Sequence, residues 1–172
     1  MNRLIRELPV FAFALRAGGL LLPLGVLLII WSTALGELMP ADLLAFVSDR
    51  AGSRDILLLD VGRRHALNLT HHPADEASFS WSPDGQRIVF AADRDGQSRL
   101  HITSLNGRQV VTLRDTPPAF DPVWSPAGDA IVFRSSRPDG RDTLYTIRPN
   151  GSGLRQLTQS DGWDSFASWS PD

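Results

Sequence analysis

The sequence predicts an all-β chain: a partial β-propeller of about three four-stranded blades behind one N-terminal transmembrane helix. Three observations carry this. A tryptophan-led turn recurs as WSPDG at Trp81–Gly85, WSPAG at Trp124–Gly128 and WSPD at Trp169–Asp172. Apolar markers repeat at a period close to 44 residues. An uncharged run, Ala17 to Leu35, precedes the repeats.

That run reads AGGLLLPLGVLLIIWSTAL, 19 residues. As a helix it spans roughly 28 Å, close to the hydrocarbon thickness of a bilayer. Pro23 and Gly25 weaken a helix in water but are tolerated in lipid. Trp31 stands near one end, where an indole suits the interface. A buried helix of a soluble domain would need an amphipathic face, and none is present. Arg3, Arg6 and Arg16 precede the run, against Glu7 alone, and Glu37, Asp42 and Asp49 follow it. The positive-inside bias then puts the N-terminus in the cytoplasm and the remainder outside. The expected organisation is a cytoplasmic segment 1–16, a transmembrane helix 17–36, a linker 37–42 and repeats over 43–172. A secretory signal peptide is the alternative, with Ser32-Thr33-Ala34 as a small-residue cleavage site. The long apolar run and long charged lead favour an uncleaved anchor.

The repeat region shows its period at four independent markers. Trp81, Trp124 and Trp169 are 43 and 45 residues apart; Phe46, Phe90 and Phe133 are 44 and 43 apart. Ile56, Leu100 and Leu144, and likewise Leu69, Leu113 and Leu157, are spaced by 44 throughout. Self-similarity at this period marks a repeat architecture. In the second copy RIVFAAD (Arg87–Asp93) is a strand by its β-branched and aromatic content. RDGQ is a hairpin turn, RLHITSL (Arg99–Leu105) the next strand, Asn106-Gly107 a tight turn, QVVTLR (Gln109–Arg114) the third strand and DPVWS (Asp121–Ser125) the fourth. Copy three repeats the plan from AIVFRSS to SFASWS, and copy one matches from Leu43 to SFSWS. No helical periodicity follows Pro40. Four strands in about 44 residues is the arithmetic of a propeller blade. Runs such as IVF at Ile88–Phe90 lack polar alternation, as a sheet covered on both faces requires.

The combination of W-S-P-D-G, an apolar-x-Phe strand, S-D-R or A-D-R, Asp-Gly, a strand, a Gly turn and Leu-Thr resembles the TolB-type propeller repeat. The resemblance covers about 43–172. It departs at Ala127, which stands where the first turn has Asp84, and at Ser136, which matches Asp49 and Asp93. Related repeats occur in the propellers of prolyl-oligopeptidase-type peptidases and in many membrane-anchored bacterial proteins, and the resemblance implies a bacterial protein.

The motif residues Trp81, Ser82, Pro83, Asp84, Gly85, Trp124, Ser125, Pro126, Gly128, Trp169, Ser170, Pro171 and Asp172 read as blade-building parts. Each Trp ends an innermost strand and packs between blades. Each Ser-Pro opens a turn, proline fixing φ at its first corner. Ser82, Ser125 and Ser170 are not read as nucleophiles, because no G-x-S-x-G elbow accompanies them. His71, His72, Asp75 and Glu76 offer metal-ligand types, but in an inter-strand loop where polar residues are expected. Asp93-Arg94-Asp95-Gly96 and Asp139-Gly140-Arg141-Asp142 lack the closing ligands of a calcium loop. Asn68-Leu69-Thr70 and Asn150-Gly151-Ser152 match a glycosylation sequon that arises often by chance.

The balance of 17 basic and 19 acidic residues, net charge -2, argues against a nucleic-acid partner. All the basic residues are arginine, a coding bias and not a function. The absence of cysteine rules out disulfides and Cys-based metal sites. No catalytic, cofactor or metal constellation is expected. The reading that remains is a non-catalytic, membrane-anchored, extracytoplasmic scaffold or sensor for protein or ligand partners. Alternatives are the propeller portion of a longer prolyl-oligopeptidase-type hydrolase, and a purely structural envelope protein. Three blades fall short of the four to eight of closed propellers, so the sequence is expected to be a piece of a longer protein, or else two copies close one ring.

Overall fold

In the computed structural model the described residues are 16–17, 20–21, 42–159 and 161–171. The chain divides at Asp42/Leu43 into two units. In the first, Arg16–Ala17 (β1) pairs antiparallel with Leu20–Leu21 (β2). The remainder of the expected transmembrane helix 17–36 lies outside the described residues. No described helix is long and apolar enough to cross a membrane.

The second unit is three antiparallel sheets whose strand order follows the chain. The first holds β3 (Leu43–Ser48), β4 (Asp55–Asp60) and β5 (His65–Asn68). The second holds β6 (Glu76–Trp81), β7 (Arg87–Asp93), β8 (Ser98–Ser104) and β9 (Val110–Leu113). The third holds β10 (Phe120–Trp124), β11 (Ile131–Ser136), β12 (Asp142–Ile147) and β13 (Arg155–Gln156).

Two corrections to the sequence reading follow. The first sheet has three strands among the described residues, where the repeat reading expects four. The copies and the sheets are also out of phase. The Trp-ended strand that closes a sequence copy opens the next sheet, because the Ser-Pro hairpin ties Trp81 to Ile88 and Trp124 to Ile131 in direct register. By the same rule 164–169 should open a fourth sheet, yet it forms no strand.

The apolar runs explain the core. Along β7, Ile88, Phe90 and Ala92 pack with Ala45, Ile56, Leu58 and Leu69 of the first sheet. The intervening Val89 and Ala91 face the other way, against Trp124, Ile131 and Phe133 of the third. The middle sheet thus buries both faces, which removes the alternation of a half-wet strand. Each Å² of apolar surface buried at these two junctions contributes about 25 cal/mol.

One backbone hydrogen bond stitches each sheet to the strand that follows. Glu76 N–H donates to Arg54 O at 2.7 Å, Ala119 N–H to Ser98 O at 3.0 Å, and Asp164 N–H to Asp142 O at 3.3 Å. These three donors sit five residues before Trp81, Trp124 and Trp169. Segment 164–169 therefore lies where β6 and β10 lie, without the strand pairing that each of those makes.

Candidate binding surface and polar junction

The first two copies of the motif each build a tight turn. Gly85 N–H donates to Ser82 O and Gly128 N–H to Ser125 O, both at 2.9 Å, closing four-residue turns with Pro83 and Pro126 at the first corner. The Ser82 hydroxyl donates to Asp84 and accepts Arg87 N–H at 2.9 Å. Both serines are buried. Each hydroxyl faces a carboxylate inside its own turn, and no imidazole stands beside it to act as a base. Trp124 is 5% exposed, under the Arg87 guanidinium at 4.9 Å from its ring. Trp81 is partly buried at the first junction. Trp169 is 39% exposed, its indole N–H donating to Val123 O at 3.1 Å. Ser170 and Pro171 follow in irregular backbone, and Asp172 lies outside the described residues.

The loop acids are likewise committed elsewhere. Asp75 pairs with Arg54 at 3.2 Å. The His72 Nδ1 accepts Ala74 N–H at 3.0 Å. Asp93 accepts Gly96 N–H at 2.7 Å and Asp139 accepts Arg141 N–H at 3.1 Å, each serving its own hairpin. Asn68 bonds Asp55, and Asn150 bonds Ser152. No three His, Asp or Glu side chains gather in metal-binding geometry among the described residues.

What sequence reasoning missed is a buried polar junction between the first two sheets. Asp55 and Glu76 are 1% and 0% exposed. Arg94 pairs with Glu76 at 2.9 Å and lies over the Phe90 ring at 5.1 Å. The Thr70 hydroxyl donates to Glu76 at 2.8 Å, with Asp55 at 3.2 Å as a second acceptor, and accepts Ile56 N–H at 3.0 Å. Burial pushes the Glu76 carboxyl above its usual value, against the pull of Arg94 and Thr70. Burial acts on Asp55 in the same sense, but donation from Asn68, His72 N–H and Thr70 outweighs it and holds the carboxyl below the usual range. His101 packs on Phe90 with ring centroids 5.2 Å apart. Burial, then the Arg94 charge, lowers its pKa to about 4. At the repeat position of His101 the other copies have Leu57 and Tyr145.

A groove of about 370 Å³ runs along the inner strands, between Ser78 and Phe79 of β6, Asp121–Val123 of β10 and Phe166–Ala167. Asp121 N–H and Trp124 N–H donate to the Ser78 and Ser80 hydroxyls at 3.0 and 3.2 Å, so side-chain hydroxyls join one inner strand to the next. Phe166 is 94% exposed with φ of 56°. The groove offers hydroxyl, carboxylate and aromatic contacts.

No protein-family model matches the chain. It is 33% identical over 129 residues to a TolB homologue from Chlorobium luteolum, an alignment covering 75% of this chain and 29% of the relative. Among solved structures it is similar to TolB from Acinetobacter baumannii, with a TM-score of 0.61, 26% identity, and coverage of 72% of this chain and 31% of the other. It shares its fold with a puromycin-hydrolyzing peptidase from Mycobacterium tuberculosis, with a TM-score of 0.58 and 15% identity over 69% of this chain and 20% of that one. The chain thus spans under a third of the curated relative it matches. These likenesses support a TolB-like propeller for the repeat region.

Proposed function

We propose that the repeats form an extracytoplasmic, non-catalytic propeller module that binds protein partners along its inner strands, held at the membrane by residues 17–36. The observation that carries the reading is the groove across β6, β10 and Phe166–Ala167, which presents polar and aromatic contacts and no catalytic constellation. The TolB likeness supports a propeller of the cell envelope, and the Arg-rich lead before the uncharged run supports the outward orientation. A photo-crosslinking residue at Ser78 or Asp121 should capture partners in intact cells, and one at Val111 on the outer strand β9 should not. Equal capture from both places would overturn the assignment of the surface. A reporter that works only outside the cytoplasm, fused after Pro40, should be active; an inactive one would overturn the orientation.

The fold shared with a peptidase supports a second reading, the propeller portion of a longer hydrolase. That reading places the catalytic serine in a domain other than this propeller, so a fluorophosphonate probe should label the whole protein outside residues 43–172. A whole protein that the probe leaves unlabelled would overturn the hydrolase reading.

A further inference from the structure

The inner-strand surface does not end at Ser78 and Asp121. One residue earlier on each inner strand, Ala77 of β6 and Phe120 of β10 line a second cavity, of about 420 Å³. Ala91 and Pro118 add to its apolar wall, and Arg54, Asp75 and Asp93 stand among its polar residues.

The room comes from two small side chains. The repeat positions of Ala77 and Ala91 are held in the third sheet by Phe120 and Arg134. There the Arg134 guanidinium lies over the Phe120 ring at 4.8 Å, paired with Asp121 at 2.8 Å and Asp142 at 2.9 Å. The second sheet has alanine at both places and a cavity where the third has a stacked pair. Arginine over an aromatic ring is a recurrent contact in this chain, with Arg94 on Phe90 at 5.1 Å and Arg87 on Trp124 at 4.9 Å.

The charges of the cavity are unevenly committed. Asp75 accepts both the Arg54 backbone N–H at 2.8 Å and its Nε–H at 3.2 Å, so that cation has its counter-charge in place. Asp93 accepts Gly96 N–H through Oδ1 at 2.7 Å and forms no ion pair with a described residue. An apolar cavity that includes one uncompensated carboxylate suits a side chain with a methylene stem and a cationic head.

We propose that this cavity takes an arginine side chain of a protein partner. Its methylenes lie against Ala77 and Ala91, its guanidinium along the Phe120 ring, and one N–H donates to the Asp93 carboxylate. The partner supplies here what Arg134 supplies in the third sheet. A guanidinium combines planar stacking with charge-assisted donation, which an ammonium does not. The inference deepens the reading of the inner strands as a partner surface and rests on it.

The test uses the full chain in detergent and a blocked tripeptide, acetyl-Ala-Arg-Ala-amide, followed by NMR. Resonances of Ala77, Ala91 and Gly96 should shift and saturate. The citrulline peptide, of the same shape without the charge, should bind at least about tenfold more weakly. The lysine peptide should also bind more weakly, since its ammonium does not stack. Asp93→Asn keeps an oxygen for Gly96 N–H and should weaken arginine binding about tenfold or more. Ala77→Phe restores the bulk of Phe120 and should abolish it; if that variant unfolds, Asp93→Asn and the peptide series still decide. Citrulline or lysine binding as tightly as arginine, an indifferent Asp93→Asn, or no saturable shift at the cavity would each overturn the proposal. Crosslinking from Ser78 judges the groove separately: partners captured there by a chain whose cavity takes no arginine would remove this subsite and leave the groove standing.

Discussion

Asp129 serves Ser125 as Asp84 serves Ser82, from a different place in the turn. Its Oδ1 accepts the Ser125 hydroxyl at 2.9 Å, four residues on, where Asp84 does so from two residues on. The replacement of the motif aspartate by Ala127 therefore costs the second turn no carboxylate. In both turns the same serine oxygen also accepts a backbone N–H, from Arg87 at 2.9 Å or Ala130 at 3.0 Å.

Two changes follow from that geometry. Ser125→Ala removes a buried hydrogen-bond partner of Ala130 N–H and should cost about 1–2 kcal/mol. Asp129→Ala should cost about 1 kcal/mol, and adding Ala127→Asp should recover most of it, because the carboxylate returns to the place it holds in the first turn. Urea unfolding of the three variants measures both. A double variant no more stable than Asp129→Ala would show that the two carboxylates are not interchangeable.

The three tryptophans should separate by burial. Trp124→Ala should cost about 3–5 kcal/mol, as for other buried aromatic truncations. Trp81→Ala should cost less, and Trp169→Ala should stay within about 1 kcal/mol, since Trp169 is the most exposed of the three. Trp124→Phe should be far milder than Trp124→Ala, because the Trp124 indole N–H has no hydrogen-bond partner among the described residues and Phe surrenders only volume. Equal costs at Trp81, Trp124 and Trp169 would contradict these environments.

The period was legible in the sequence because it is a register. Phe46, Phe90 and Phe133 face Leu57, His101 and Tyr145 across the same step of three hairpins. Strand β7 runs from Arg87 to Asp93, the bounds its composition predicts. The phase was harder to read, since a Trp-Ser-Pro hairpin looks alike whether it ends one unit or begins another. Only pairing shows that Trp81 belongs with Ile88. The polar junction was illegible for another reason. Asp55, Thr70, Glu76 and Arg94 are scattered over 40 residues and coincide only when two sheets pack. Each taken alone reads as a surface charge or a turn hydroxyl.

His101 should make stability acid-sensitive. Its pKa falls from 6.5 to about 4 on folding, so the folded chain favours the neutral ring. The contribution is complete above pH 6.5 and is lost as pH falls from there to about 4. The span corresponds to about 3 kcal/mol at most. Arg94, Asp95 and His72 face it. Glu76 works in the opposite sense: its raised pKa gives stability that is lost as pH rises through the folded value. The difference between wild type and His101→Leu, the residue type at the Leu57 position, isolates the histidine. That difference should shrink between pH 6.5 and 4, and a constant difference would remove His101 from the account.

The closeness of the first two sheets can be tested at Gly107, in the turn between β8 and β9. Its φ is +66°, and a Cβ there would sit 2.7 Å from the Leu69 carbonyl oxygen of the first sheet. Gly96, at φ of +88° in the turn between β7 and β8, would place a Cβ in open space. Both alanine variants carry the left-handed backbone strain, about 1 kcal/mol. Only Gly107→Ala must also move a backbone carbonyl, and the Leu69 side chain beside it is buried at the first junction. Overpacking of this kind adds about 1–3 kcal/mol. Gly107→Ala should therefore be the more destabilising by at least about 1 kcal/mol in urea, and hydrogen exchange should quicken at Leu69 N–H, which donates to Ile56 O at 2.8 Å. Equal losses at the two glycines would mean that the two sheets stand further apart at this turn than the Gly107–Leu69 approach requires.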